Sequence, residues 1–137
     1  MAHTRDARML SLEAAKTLAE AGEAEARRRG WTVAIAVVNP EGGLILFHAL
    51  DGTQPASQDV AIAKARAAAR FKRPTKALED AIAGGRHVLL AVPGVLPLEG
   101  GIPVVLAGAI VGAVGVSGMA SSEDGVIAAA ALKVLQG

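Results

Sequence analysis

The sequence has no cysteine, which excludes disulfides, thiolate metal centres and a cysteine nucleophile together. Aromatic residues are nearly as scarce: there is no tyrosine, and Trp31, Phe47 and Phe71 are the whole set. Stacking of nucleobases on aromatic side chains therefore has little to work with. Neither sign of charge dominates, because 14 Lys+Arg face 13 Asp+Glu for a formal charge of +1. That balance removes the general attraction for phosphate backbones, so no nucleic-acid partner is expected. No apolar run is long enough for a membrane. The greasiest, 102–118, is interrupted by Pro103, Gly108, Gly112 and Gly115 and falls short of the roughly 20 residues a spanning helix needs. The N-terminal residues carry charge without an apolar export segment, and a cytoplasmic protein is expected. Catalytic signatures are missing too: there is no GxSxG, no P-loop, no GxGxxG opening a helix after a strand and no HExxH. The histidines are His3, His48 and His87, with no two at i,i+4, so no dedicated metal site is expected.

What is present is a chain of 137 residues, 52% hydrophobic and 20% charged. That is enough to bury a core and of a length for one compact domain. A single domain over 1–137 is expected, with 1–9 as a flexible N-terminal segment. Its core must be built from Ala, Val, Leu and Ile.

Residues 11–29 read as a helix. Ser11 is the candidate N-cap, and Leu12, Ala15, Leu18, Ala19 and Gly22 form an apolar stripe. Glu13, Lys16, Glu20 and Glu23 are expected in water. Arg27, Arg28 and Arg29 complement the helix dipole, and Gly30 suits the position after its end. Residues 31–38 are apolar on both alternating faces, Asn39-Pro40-Glu41-Gly42-Gly43 is turn chemistry, and 44–50 returns as a second strand. An alanine-rich helix follows over about 57–71. Pro74 breaks it, and Thr75 is the expected cap of a short helix to Ala83. Residues 87–92 read as a third strand, 93–101 as a Pro/Gly loop, 102–106 and 110–117 as a second hairpin, and 123–135 as the closing helix capped by Ser121 or Ser122. The order α-β-β-α-α-β-β-β-α predicts an α+β fold of two layers, with about five mainly antiparallel strands flanked by helices.

Few residues carry chemistry by type and place. His48 shares a strand face with Leu44, Leu46 and Leu50, and His87 opens a strand. Lys64 to Lys76 holds six basic residues and no acid. Within it Arg66 and Arg70 stand at i,i+4 as a candidate clamp for carboxylate or phosphate, against the simpler reading of a solvated or intersubunit face. Gly112 and Gly115 lie in a strand, where close packing explains them.

An ordered set of short motifs runs through the chain: Asp51-Gly52 after a hairpin, Lys64-Ala65 in an alanine-rich helix, Arg73-Pro74-Thr75, Gly100-Gly101-Ile102-Pro103, residues 111–118 (VGAVGVSG) and Asp124. The set resembles the GlcG/HbpS-like family, called the haem-degrading domain family and related to the C-terminal domain of PduO-type proteins. The similarity covers residue 10 to the C-terminus. The resemblance implies a profilin-like or PAS-like fold, homo-oligomers and, in some members, haem binding. Two positions depart from the family: His48-Ala49-Leu50-Asp51 stands where an Arg-Met-Asp run is common, and Met119 where another glycine usually follows Gly118.

Three functions follow as alternatives. The first is an enzyme acting on a small anionic or carbonyl-bearing metabolite. Asp51 and Asp124 are its acid/base groups, Lys64 or Arg66 the anion partner, and Gly52, Arg70, Gly100, Gly101, Ile102, Pro103 and Gly118 line its site. The second is a haem-binding or haem-degrading protein with His48 or His87 as iron ligand. The third is an oligomeric accessory protein without catalysis.

Overall fold

The computed structural model describes residues 2–136; Met1 and Gly137, the ends of the expected domain, lie outside the described residues. Helix α1 spans Leu12–Arg29. Ser11 Oγ accepts the Ala14 N–H at 3.1 Å, and Gly30 closes the helix in the left-handed region with φ 72°. Strands β1 (Ala34–Val38) and β2 (Leu44–Ala49) form the first hairpin, and β3 (Gly101–Leu106) and β4 (Ala109–Ser117) the second. Antiparallel pairing of β1 with β4 joins them in the order β2-β1-β4-β3. Helices α2 (Ala56–Phe71), α3 (Thr75–Ala83) and α4 (Ser121–Lys133) complete the fold.

The sheet separates two helical layers. On one face Val33, Ile35, Val37, Val114 and Val116 pack with Leu18 of α1 and Ile127 of α4. On the other, Ala34, Ala36 and Ala113 meet Ala61, Ala65 and Ala68 of α2. Every residue of β1 is buried, as apolar residues on both of its faces require. Alanine lets α2 lie almost on the backbone of β4. A Cβ on Gly115 would overlap the Ala61 carbonyl oxygen and come within 2.5 Å of the Ala65 nitrogen.

The architecture is the expected α+β arrangement, with four strands rather than about five. The expected third strand is instead a 3-10 helix, His87–Ala91. Its backbone groups are used locally, in bonds such as Leu89 N–H to Arg86 O and Arg86 N–H to Ala81 O, which leaves no ladder to extend the sheet. Two caps also differ. Pro74, not Thr75, precedes α3, and Ala120 precedes α4, where Glu123 Oε1 accepts the Ala120 N–H at 3.3 Å in place of a serine cap.

Candidate functional site

Nine residues into α2, the Lys64 side chain leaves the alanine layer and reaches α4 on the opposite side of the sheet. Its Nζ donates to Asp124 Oδ2 at 3.0 Å and to the Val116 carbonyl at 2.9 Å. Both side chains are 2% exposed, so this is a desolvated ion pair. The other carboxylate oxygen, Asp124 Oδ1, accepts the Met119 N–H at 2.9 Å and holds the corner between β4 and α4. Burial raises the Asp124 carboxyl above its ordinary 3.8; the Met119 N–H and the Lys64 charge pull the other way but offset only part of it.

Glycine makes room for the pair. Gly100 has φ +133°, and a Cβ there would lie 2.6 Å from the Val116 oxygen and 2.8 Å from Lys64 Nζ. The Gly100 carbonyl accepts the Val116 N–H at 2.9 Å, so Val116 is held from both sides. Gly101 passes just as closely, since a Cβ would meet the Lys64 carbonyl carbon at 2.8 Å. Thr75 Oγ1 accepts the Gly101 N–H at 2.9 Å. The residue expected as a helix cap thus fastens the start of β3 to α3.

Lys64, Asp124, Gly100 and Gly101 therefore converge. Asp51 and Gly52 sit at the same end of the sheet in an exposed turn, where Gly52 faces Thr32. Gly118 also lies against Thr32. Among the described residues no hydrogen bond or ion pair ties Asp51 to Lys64 or Asp124. Ile102 and Pro103 are strand residues paired with Val114 and Ala113. Arg66 and Arg70 are directed away, to the β1–β2 turn, where their Nε atoms donate to the Gly42 and Glu41 carbonyls at 3.0 and 2.9 Å.

His48 Nδ1 is hydrogen-bonded to the Glu23 carboxylate; a carboxylate accepts, so in the neutral ring the proton sits on Nδ1 and Nε2 carries the lone pair. Glu23 was expected in water; its side chain is 26% exposed and packs against His48 across the α1–β2 layer. His87 is exposed on the 3-10 helix. Among the described residues no cluster of three His, Cys, Asp or Glu could hold a metal ion, and no helix is long and apolar enough to cross a membrane. Thr75, Val116 and Glu23 were not singled out for these roles, and nothing local in the sequence marks them. Each acts through a partner at least 25 positions away.

Comparison with known proteins adds a consistent set of likenesses. Residues 10–133 match the family model described as "Haem degrading protein HbpS-like". The chain is 39% identical over 109 residues to Protein GlcG of Escherichia coli (strain K12), covering 80% of this chain and 81% of that one. A crystal structure of a double mutant of Streptomyces reticuli HbpS superposes with TM-score 0.90 at 35% identity, covering 96% of this chain and 90% of that one. The crystal structure of a PduOC:haem complex superposes with TM-score 0.82 at 25% identity, covering 91% and 94%.

Proposed function

This chain belongs to the HbpS-like family, and on that premise we propose that it binds a small anionic or carbonyl-bearing metabolite and acts on it by acid–base chemistry at Lys64 and Asp124. The observation that carries the reading is the desolvated Lys64–Asp124 pair itself. Withdrawing two ions from water costs several kcal/mol each, and perturbed titratable groups concentrate where chemistry is done. An ammonium has three protons, and two are committed to Val116 and Asp124. The third is available to a carbonyl or carboxylate oxygen. A carboxylate beside it, with its pKa raised by burial, can take a proton from the carbon next to that carbonyl while Lys64 stabilises the enolate oxygen. Access calls for movement of the 118–120 corner, which Asp124 itself ties down through Met119.

Deuterium incorporation into 2-oxo acids in D2O, followed by proton NMR, tests this. The parent should exchange the carbon-bound proton faster than buffer. Lys64→Met and Asp124→Asn proteins that keep their fold and assembly should lose about a hundredfold or more of that rate. A folded Lys64→Met protein with parental exchange retires the assignment. Asp51→Asn tests whether the neighbouring turn contributes.

Haem binding is the second reading, favoured by the His48–Glu23 contact. A carboxylate that holds Nδ1 fixes the ring and leaves Nε2 to ligate iron; haem, when bound, would supply redox chemistry. The donor fits, but surface cavities of about 700, 600, 370 and 270 Å3 include no histidine in their walls. The His48–Glu23 pair supplies a candidate iron ligand on the α1–β2 layer, and a second copy packed against that layer would supply walls for a porphyrin. A Soret band on haem titration that vanishes in His48→Ala supports this reading; no band at stoichiometric haem removes it.

A further inference from the structure

At the end of the sheet opposite Lys64 and Asp124 lies a cavity of about 700 Å3. The N-terminal segment forms one wall, fastened where the Leu10 N–H donates to the Val111 carbonyl at 2.9 Å and the buried Leu10 side chain covers Gly112. The end of α2 and the tight β3–β4 turn, with Ala107 and Gly108 at φ 50° and 77°, form the others. Met9, Pro40 and Ile110 give the cavity an apolar lining, while Arg5, Arg8 and Lys72 face it alongside Asp6 and Glu41.

Two features of this cavity bear on what it could hold. None of the three cations is in an ion pair among the described residues, so their charges are unspent. The wall at Glu41 is also rigid. Arg66 and Arg70 fasten the β1–β2 turn through the Gly42 and Glu41 carbonyls, and Asn39 Oδ1 accepts the Glu41 and Gly43 N–H groups at 2.9 Å each. The basic run in the sequence is thereby divided: Arg66 and Arg70 build the wall and Lys72 faces the opening. A cavity of this size, lined by apolar and charged side chains together, suits a small molecule. Arginine forks favour carboxylate or phosphate over a lone halide.

We propose that this cavity is a second ligand site, separate from the Lys64–Asp124 pair, that takes a small dianion with a short apolar body, held by Arg5, Arg8 and Lys72. The carboxylate and phosphate forms of that ligand share one recognition chemistry. A titration separates them.

The full-length protein, 15N-labelled, is titrated with adipate, with inorganic phosphate and, as a control, with sodium chloride at matched ionic strength. Saturable shifts of the Met9, Gly108 and Ile110 amides are expected with one or both anions and not with chloride. Adipate binding more tightly than phosphate identifies a dicarboxylate site that uses the apolar wall; the reverse order identifies a phosphate site. The Arg8→Gln, Lys72→Gln double variant removes exposed charges only. Glutamine, unbranched like the lysine it replaces, tolerates the left-handed backbone at 72 (φ 56°) no worse. That variant should keep the parental melting temperature and bind at least tenfold more weakly. A Lys64→Met protein shown by its amide spectrum to keep the parental fold should bind as the parent does, so this result stands or falls apart from the acid–base reading. Equal shifts with chloride, or unchanged affinity in the double variant, overturn the proposal.

Discussion

Lys64 and Asp124 stand 60 positions apart and meet at 3.0 Å in a place that water does not reach. The contact links a helix from each side of the sheet. It also fixes the corner at Met119 and the carbonyl of Val116. A buried ion pair is costly to form but costlier to break from one side, because the remaining charge has no solvent.

Removing one partner should therefore destabilise the fold by about 3–5 kcal/mol, as expected for an orphaned buried charge. Urea denaturation of Lys64→Met, Asp124→Leu and the double variant measures this. The double variant should lose much less than the sum of the singles, as coupled neighbours do. Strict additivity would show that the two charges do not interact.

The raised Asp124 carboxyl has a definite consequence for pH. A carboxyl whose folded pKa exceeds its unfolded value binds more protons in the folded state, so between the two values stability falls as pH rises. The window opens at the ordinary 3.8 and closes at the raised value. Glu25 titrates in the opposite sense and lower, held at about 2 by Arg28 and Arg29, and is common to parent and variant. The stability difference between the parent and Asp124→Asn should accordingly shift against the parent as pH rises through that window. A difference that moves the other way contradicts the dominance of burial at Asp124.

Gly115→Val should lower the melting temperature. Its side chain has no room against the Ala61 carbonyl and the Ala65 nitrogen, and overpacking of this kind costs about 1–3 kcal/mol. Calorimetry showing an unchanged melting temperature would mean that α2 can lift from β4 without loss.

Homo-oligomers are expected from the surface of the 3-10 segment. Val88 and Leu90 are 65% and 64% exposed, an apolar surface that favours a partner. Light scattering at micromolar concentration should give a multiple of the chain mass, and Val88→Glu with Leu90→Glu should reduce it. A monomer mass for the parent would refute the expectation.

The sequence by itself determined what depends on near neighbours. Ser11 and Gly30 bound α1, Pro74 ends the alanine helix, the turn residues 39–43 set the first hairpin, and the two-sided apolar pattern of 34–38 marks a central strand. Caps, turns and alternation act over a few residues, so they can be read locally. It also grouped Lys64, Asp124, Gly100 and Gly101 in one candidate site, together with Asp51, Arg66 and Arg70. Only the tertiary structure decided which members of that set meet: Lys64 pairs with Asp124 beside Gly100 and Gly101, Asp51 stays apart in an exposed turn, and Arg66 and Arg70 hold a turn at the other end. It likewise decided that 87–91 is not a strand: a short apolar run becomes one only where another strand offers free backbone groups, and here local bonds had already taken them. The same limit hid Glu23 and Thr75, whose partners His48 and Gly101 lie 25 and 26 positions further on. Which distant groups come within hydrogen-bonding range is set by how the layers pack, and no local pattern encodes it.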